Sequence, residues 1–377
     1  LKQRKYVANV EFKILKAFRM NVLLSIYFGF ISMLAAQPSV FDQYYLHQWD
    51  TDNGMPVDLV LSLYQSKEGF IWLRTYNGLI RFDGMSFKIF DSRNVPFLTS
   101  DNISGILEGP DSTLWVTSPF DGLWRYKNGK VEHVLGDCNP GYNLDWITDS
   151  QELLFSNIGD QISLIRYNPK THKRIDIPAA IADSTIGALK INGSLQNFGT
   201  TDQQGYEWWL WRGQAYRAKN GHLEALRINR EYKDLYFFDM IVDSRDRIWF
   251  TSNRGVFTWN GQSIEAYPGM ESVKSLPVSA FYGQKWILED HLGGIWVVLF
   301  SNIAYLPPGS DHFVFPPEGH PLRSLPVTSL LEDREGNIWF SSNNGVARLS
   351  PNLFKTFSSA QGLPTPQVEG VVPVDSQ

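Results

Sequence analysis

The sequence predicts an all-β protein: a seven-bladed β-propeller of four-stranded antiparallel blades, followed by the start of a further blade or of a second propeller. Three observations predict this fold. A motif of two short strands around a turn recurs along the chain, its copies lie mostly 40 to 47 residues apart with one step of 53, and each copy continues into a second tight turn. This period matches the length of a four-stranded propeller blade.

The clearest copy lies between Leu325 and Leu349. Two strand-like runs, Val327 to Leu331 and Ile338 to Phe340, flank a five-residue turn. A second turn, Asn343-Asn344-Gly345, leads into the run that ends at Leu349. Runs rich in branched and aromatic residues, separated by Asn, Asp and Gly, predict three strands joined by two tight turns.

Each copy is marked by a Trp, usually with an Asp six residues before it, a Gly three before it and a Gly six after it. The marker Trp residues are Trp72, Trp115, Trp208, Trp249, Trp296 and Trp339; the Asp residues are Asp202, Asp243, Asp290 and Asp333; the Gly residues are Gly69, Gly205, Gly293 and Gly336 before the Trp and Gly78, Gly255 and Gly345 after it. One degraded copy carries Asp149 and has Phe155 in the Trp place. Because a residue that repeats around a ring serves the blade itself, we interpret the Asp as a turn residue that accepts backbone N–H groups and the Gly as the residue with positive φ. The Trp is expected to pack between blades.

The two ends of the array predict how the ring closes. Residues 41–48 form a strand-like segment before the first repeat, and we expect it to complete the seventh blade as its outer strand. The propeller is predicted to occupy residues 37–357. Residues 358–377 match the start of an eighth repeat, with Asp375 in the Asp place, so the sequence is interpreted as a fragment cut within a blade.

Residues 1–36 are predicted to be a secretory signal peptide. Lys13, Lys16 and Arg19 form a basic region, and an apolar run of 16 residues from Asn21 to Ala36 follows it. That run is short for a membrane-spanning helix, which needs about 20 residues. An uncleaved anchor is the alternative, and a start at Met20 would leave only the apolar run. Either reading predicts export.

At the first repeat the resemblance to a known family becomes specific. The segments Gly54-Met55-Pro56, Glu68 to Thr75 and Asn77 to Gly84 resemble the two-component regulator propeller repeat, and the match extends over about residues 41 to 375. In that family the repeats form the sensory ectodomain of membrane-spanning regulators, most often hybrid histidine kinases of Bacteroidota. The resemblance implies a periplasmic sensor with a carbohydrate ligand, a membrane helix and output domain downstream of this fragment, and a homodimer in the full-length protein.

Composition restricts the possible partners. The formal net charge is −5, which argues against a nucleic-acid partner. Aromatic residues make up 14% of the chain and include 13 Trp, as bulky packing between sheets requires. Cys138 is the only cysteine, so no intrachain disulfide can form.

The chain offers little chemistry. It contains none of the common nucleotide-binding, zinc-protease, Cys-x-x-Cys or nucleophile-elbow motifs, and its seven His residues show no ligand spacing. We therefore expect no catalytic residues, no metal and no cofactor, and we leave the ligand-binding residues unassigned. Positions that depart from the repeat are the candidates for ligand binding. Aromatic residues that the repeat does not require, and that could stack on sugars or simply extend the core, are Phe120, Tyr206, Trp209, Trp211, Tyr282 and Trp286.

Three functions remain open at this stage. The first is the sensor propeller implied by the resemblance, in which this fragment is not itself an enzyme. The second is an exported propeller enzyme resembling streptogramin lyase, which would need His and acidic residues grouped at the axis. The third is a propeller that binds proteins. The fold alone does not separate them, because propellers serve many functions.

Overall fold

The computed structural model describes residues 39–136, 142–147, 152–157, 164–177, 200–211, 213–220, 222–226, 232, 235–270, 285–299 and 302–352. The chain divides into two compact units, residues 1–43 and residues 44–377. In the first unit the described residues contain one 3-10 turn, Val40–Gln43. The predictions for residues 1–36, for Cys138 and for residues 358–377 lie outside the described residues.

The second unit consists of β-strands, with short 3-10 turns at Thr51–Asn53 and Pro321–Arg323. The first strand is β1 (Tyr44–Trp49), and three sheets follow it: β2 (Ser62–Gln65), β3 (Ile71–Arg74), β4 (Leu79–Phe82) and β5 (Phe87–Phe90); β6 (Gly105–Glu108), β7 (Leu114–Ser118), β8 (Gly122–Lys127) and β9 (Lys130–Leu135); and β10 (Tyr142–Ile147), β11 (Leu153–Asn157), β12 (Leu164–Asn168) and β13 (Lys173–Ile177). The remaining strands are β14 (Thr200–Thr201), β15 (Glu207–Trp211), β16 (Gln214–Lys219) and β17 (His222–Ala225); β18 (Phe237–Val242), β19 (Ile248–Ser252), β20 (Gly255–Trp259) and β21 (Ile264–Ala266); β22 (Ile287–Glu289), β23 (Ile295–Leu299) and β24 (Asn302–Leu306); and β25 (Val327–Glu332), β26 (Ile338–Ser342) and β27 (Gly345–Pro351).

The described strands form seven antiparallel sheets, which we number as blades 1 to 7 in chain order. Six sheets have four strands, and the sheet of blade 6 has three described strands, with a single bridge from Tyr305 to Val314 beside the third. The first strand of each blade, called the inner strand, contacts its counterpart in neighbouring blades, as β2 contacts β25 and β18 contacts β22. The predicted all-β propeller of four-stranded antiparallel blades is confirmed.

The outer strand of blade 7 comes from the start of the chain. Strand β1 pairs with β27 along its whole length, from Tyr44 opposite Pro351 to Trp49 opposite Val346. The indole of Trp49 then stacks on that of Trp339, with ring centroids 5.4 Å apart. The prediction that the N-terminal segment completes this blade is confirmed, except that residues 41–43 belong to the 3-10 turn and the strand begins only at Tyr44.

The marker Trp residues lie between blades, as predicted. The ring centroid of Trp72 in blade 1 lies 5.0 Å from that of Tyr126 in blade 2, and the ring centroid of Trp339 in blade 7 lies 5.8 Å from that of Phe82 in blade 1. Both Trp side chains are almost completely buried. Each buried indole therefore packs between two neighbouring sheets. Its apolar surface, removed from water, stabilises the contact between those blades.

The recurrent Asp holds both its turn and the Trp. In blade 7 one carboxylate oxygen of Asp333 accepts the backbone N–H groups of Glu335 (3.1 Å) and Asn337 (2.8 Å), and the other accepts the indole Nε1–H of Trp339 (2.6 Å). The same indole–carboxylate bond joins Trp249 to Asp243 at 2.8 Å. It recurs in Trp208–Asp202 and Trp296–Asp290. The interpretation of Asp as a turn residue is confirmed, and the indole bond explains the fixed spacing of six.

The Gly after the second strand of blades 2 and 7 is required by the outer strand. Gly345 has φ of 92°, and a Cβ atom there would lie 1.9 Å from the backbone oxygen of Trp49 in β1. In blade 2, Gly122 has φ of 76° and stands in the same relation to Leu135. Positive φ and the close approach of a second backbone both exclude a side chain at this position.

A further set of hydrogen bonds, not foreseen from the sequence, joins the turns of neighbouring blades. The residue after the turn Asp, or after Ser66 in blade 1, donates its backbone N–H to the side chain of the last residue of the next inner strand. We call each such bond a turn latch. The latches are Lys67 to Glu108 (2.8 Å), Ser244 to Glu289 (2.7 Å), His291 to Glu332 (3.0 Å) and Arg334 to Gln65 (2.9 Å). The last of these links blade 7 to blade 1, where the Arg334 guanidinium also donates to the backbone oxygens of Ser66 and Lys67.

Blade 1 lacks the Asp, and this generates a prediction. Ser66 occupies the Asp place, and the buried Nε1 of Trp72 has no hydrogen-bond acceptor within the described part of the chain. We expect Ser66→Asp to raise the free energy of unfolding by about 1 kcal/mol, because the carboxylate would accept the indole N–H and the turn N–H groups. Calorimetry should show a melting temperature about 2 °C higher.

The matched control is Ser66→Ala, which supplies no acceptor and should give no gain. The reverse change, Asp333→Ser, should lower the melting temperature because it leaves a buried indole N–H without its partner. An unchanged or lowered melting temperature in Ser66→Asp would contradict the stabilising role assigned to the indole–carboxylate bond.

Candidate functional site

The strand order gives the ring two different faces. In each antiparallel blade the turn between the first and second strands lies on one face, together with the turn latches. The turn between the second and third strands lies on the opposite face, where the chain also crosses from one blade to the next. We call this second face the connection face. Connections in repeat proteins vary in length and sequence and commonly carry the binding residues.

The six aromatic candidates divide clearly. Trp209 and Trp286 are buried, at 2% and 5% exposure, and the indole of Trp286 donates to the backbone oxygen of Thr328 at 2.9 Å. Tyr206 is half-buried in the core between blades 4 and 5. These three aromatic residues extend the core, which was the alternative to stacking on a sugar. The Trp211 side chain and Tyr282 lie outside the described residues.

Phe120 is the described candidate that faces solvent, with 61% of its surface exposed. It lies in the lengthened turn of blade 2 between β7 and β8. The next residue, Asp121, holds the turn in place: its carboxylate accepts the Thr99 backbone N–H at 2.7 Å and the Ser118 hydroxyl at 3.1 Å. Burial opposes the charged form of Asp121, but its hydrogen bonds outweigh burial and lower the pKa of the carboxyl group. The exposed ring therefore sits on a rigid turn.

Tyr76 is a second exposed aromatic residue on this face. It lies in the corresponding turn of blade 1 and is 49% exposed. The hydroxyl of Thr75 closes the turn by donating to the backbone oxygen of Gly78 at 2.6 Å. Tyr76 occupies an ordinary position of the repeat, so sequence reasoning did not single it out.

One connection joins the two aromatic turns. The segment Thr99 to Ser104 leads into the inner strand of blade 2. At one end Thr99 is bonded to Asp121, beside Phe120, and at the other end the Ile103 backbone N–H donates to the Thr75 backbone oxygen at 3.2 Å, beside Tyr76. Asn102, within this segment, is partly exposed, and its side-chain amide makes no hydrogen bond within the described part of the chain. Its donor and acceptor are available to a ligand.

Arg74 lies beneath this segment, at the end of β3. Only 8% of its surface is exposed. Its Nε donates to the Ser62 hydroxyl at 3.0 Å, and Nη1 donates to the backbone oxygens of Ile103 and Ser104 at 3.4 and 3.3 Å. Burial lowers the pKa of Arg74 to about 10, and the Tyr76 phenol acts on it in the opposite direction. The guanidinium group thus joins blades 1 and 2.

We call Arg74, Tyr76, Asn102 and Phe120 the connection-face cluster. Aromatic faces stack on the C–H faces of sugars, an amide bonds hydroxyl groups, and a guanidinium group binds oxyanions. The described residues contain no group of three or more His, Cys, Asp or Glu side chains that could hold a metal ion. The exposed aromatic faces, the amide and the guanidinium group are suited to binding an organic ligand.

A larger groove lies at the outer edge of the propeller. A groove of about 840 Å³ runs between the outer strands of blades 1 and 2, lined by apolar side chains that include Phe87, Ile89, Phe97 and Val131. These side chains are partly buried and pack against the core beneath them. The groove is open and mainly apolar, with few polar groups to fix a small ligand.

The comparisons with known proteins agree with this architecture. Residues 321–344 match the family described as two component regulator propeller, so the chain carries a repeat of that family. No curated protein matches the sequence. Among the described residues no helix has the length and apolar character needed to cross a membrane.

Similar solved structures include two from B. thetaiotaomicron. One is the extracellular domain of the putative hybrid two component system BT3049, at 18% identity and TM-score 0.57. The other is the extracellular domain of the putative one component system BT4673, at 15% identity and TM-score 0.58. The similarity covers 82% of this chain in both cases, but only 42% and 40% of those domains, so this chain spans about two fifths of their length.

An enzyme has the same fold. Streptogramin B lyase matches over 83% of this chain and 99% of its own, at 13% identity and TM-score 0.55. At identities this low the three similarities establish the propeller fold and leave the function to be argued from the site.

A carboxylate at the ring axis generates a prediction about pH. Asp239, on the inner strand of blade 5, accepts the backbone N–H groups of Trp286 (2.7 Å) and Ile287 (3.2 Å) from blade 6. Desolvation raises the pKa of Asp239 above its usual value. A raised folded-state pKa means that the native protein binds a proton more readily than the unfolded chain, so Asp239 favours folding increasingly as the pH falls from neutral.

We expect the melting temperature of the wild type, relative to Asp239→Asn, to be higher at pH 5 than at pH 7. Other titrating groups contribute equally to both proteins and cancel in this difference. A difference that is the same at both pH values, or larger at pH 7, would show that the Asp239 pKa is not raised.

Proposed function

We propose that this chain is the ligand-sensing propeller domain of a membrane-spanning two-component regulator of the hybrid histidine kinase type. We place it on the periplasmic side of the membrane, with its output domain in a part of the protein beyond this chain. Two findings support the proposal: the family repeat at residues 321–344 and the shared fold with two sensor ectodomains. The chain itself is proposed to bind rather than to catalyse.

The proposed ligand is a carbohydrate oligomer bound at the connection face. The observation that carries this is the exposure of Tyr76 and Phe120 on neighbouring blades, on either side of a connection that presents the free amide of Asn102. Apolar rings kept in water at rigid turns do nothing for the core, whereas they provide flat surfaces for sugar rings. Two such surfaces on adjacent blades fit an oligomer better than a single sugar.

Binding would act on the signal by favouring one arrangement of the ectodomain over another. A ligand that contacts blades 1 and 2 together binds most tightly to the arrangement of the ectodomain in which the two turns are placed to hold it. This difference in affinity shifts the population of the ectodomain toward that arrangement. In the full-length sensor we expect a homodimer, attached to the membrane through a helix downstream of this chain. Phosphotransfer belongs to the output domain.

The enzyme alternative rests on the fold shared with streptogramin B lyase. It requires a general acid or base within reach of a bound substrate. Beside the connection-face cluster the described side chains of this kind include Asp101 and Asp121, whose carboxylates accept hydrogen bonds from the turns, and His133, whose Nε2 lies 3.0 Å from the backbone oxygen of Asp121. A histidine whose ring nitrogen is engaged with a backbone oxygen fits the anchoring of a turn better than proton transfer.

The proposal predicts the effect of removing the two exposed rings. A panel of neutral and acidic oligosaccharides is screened against the purified chain, and affinities for those that bind are measured by calorimetry. We expect Tyr76→Ala and Phe120→Ala each to weaken binding about tenfold, because each removes a stacking surface worth about 1–2 kcal/mol. The melting temperatures should stay close to that of the wild type, since both rings are exposed.

The matched control is Tyr45→Ala. Tyr45 is 64% exposed but lies on β1, the outer strand of blade 7. Equal losses in Tyr45→Ala and Tyr76→Ala would contradict a site at the connection face. Failure of every oligosaccharide to bind would overturn the carbohydrate proposal, and release of a cleaved product would favour the enzyme alternative.

A further inference from the structure

The Arg74 guanidinium group has N–H donors that the described residues do not use. Its Nε and Nη1 donate to Ser62 and to the backbone oxygens of Ile103 and Ser104, whereas Nη2 donates to no atom of the described chain. A guanidinium group has five N–H donors, and the two on Nη2 are without a partner. More than nine tenths of the residue is nevertheless buried.

Arg74 also has no acidic partner among the described residues. The ion pairs among the described residues do not include Arg74, and the oxygen atoms that it contacts belong to a hydroxyl and to two backbone carbonyls. Removing a cation from water without a counter-ion is costly, and proteins normally place a carboxylate beside a buried guanidinium. Joining blades 1 and 2 does not need a charge, since an uncharged donor could bond the same oxygens.

The other blades show that this position is not normally charged. Arg74 is the second residue after the marker Trp72, and the same place holds Thr117, Leu210, Thr251, Val298 and Ser341 in five other blades. The three hydroxyl residues are almost fully buried there, at 1% exposure or less. The fold is therefore satisfied by an uncharged residue, and the Arg in blade 1 needs a different reason.

We propose that Arg74 is the counter-charge for an acidic group of the ligand, so that the sensed carbohydrate is an anionic oligosaccharide. This deepens the proposed function and rests on it. Arg74 lies directly below the connection that joins the turns of Tyr76 and Phe120, and the Tyr76 phenol is close enough to act on its charge. A sugar stacked on Tyr76 would direct a carboxylate or sulfate oxygen to Nη2, while Asn102 bonds its hydroxyl groups.

The acidic group of the ligand can be a carboxylate or a sulfate ester. A uronate carboxylate is planar and a sulfate ester is tetrahedral, and either can accept N–H bonds from a guanidinium group. The experiment therefore has separate arms for them. Pairs of oligosaccharides matched in linkage and length are used: uronate oligomers with their carboxyl-reduced counterparts, and sulfated oligomers with their desulfated counterparts.

Affinities are measured by calorimetry on the wild type and on Arg74→Gln. We expect the wild type to prefer the acidic member of at least one pair by about tenfold or more, the effect of one hydrogen bond between charged groups. In Arg74→Gln that preference should fall to less than about twofold, while the affinity for the neutral member stays within about threefold of the wild type. The pair that shows the preference identifies carboxylate or sulfate as the recognised group.

Two controls separate recognition from loosening of the ring. Ser62→Ala removes the acceptor of Arg74 Nε but keeps the cation, so it should retain the preference for the acidic member. Thr328→Val removes the 2.6 Å bond from its hydroxyl to the backbone oxygen of Val60, between blades 7 and 1, and should likewise retain it. If Arg74→Gln does not fold, the comparison within each pair on the wild type still tests the proposal, because equal affinity for the acidic and neutral members would overturn it.

The outcomes distinguish this inference from the proposed function. Equal affinity of the wild type for acidic and neutral members, or an acidic preference that survives in folded Arg74→Gln, would overturn the role of Arg74 while leaving the carbohydrate sensor intact. Absence of binding by every oligosaccharide, acidic or neutral, would instead overturn the proposed function on which the inference rests.

Discussion

The bond between a buried indole and a turn carboxylate is the interaction on which the rest of the ring depends. Each sheet contacts only its neighbours, so the ring is held by what fills the gaps between sheets. A Trp fills the gap, and an Asp six residues earlier fixes its ring by accepting Nε1–H, as Asp333 does for Trp339. The other oxygen of the same carboxylate holds the turn. One side chain therefore sets the shape of the blade and the position of the residue that packs on the next blade.

That interaction also explains why so much of the fold could be predicted. Asp, Gly and Trp lie within seven residues of one another, so their spacing is local and repeats in the sequence with each blade. Closure by the N-terminal strand followed from counting strands. The turn latches were not predicted, because Glu332 and His291 are 41 residues apart and the donor is a backbone N–H that any residue except proline supplies. Only the acceptor side chains can be recognised in the sequence, as a Glu or Gln that recurs before the turn.

The site was less predictable than the fold. Searching for aromatic residues outside the repeat found Phe120, because an inserted residue pushes a turn outward. The same search also selected Trp209 and Trp286, which lie on or beside strands where a side chain can point into the core. Tyr76 was missed because its position belongs to the repeat and exposure is not visible in a sequence. The unusual position of Arg74 can be read from the sequence, since aligning the blades shows a charge where the others carry uncharged residues. That no described residue supplies a counter-ion appears only in three dimensions.

The location of Arg74 has a consequence for how such a ring could respond to a ligand. The other contacts between blades are apolar, or are hydrogen bonds whose partners both belong to the protein, as in the turn latches, and a bound sugar would hardly change them. The junction of blades 1 and 2 instead contains a buried cation whose environment improves when an anion arrives. A ligand that supplies this anion lowers the free energy of the arrangement in which the two turns and their connection are held together. Binding energy would then be coupled to one junction of the ring, and the sheets on either side of it would respond as single bodies.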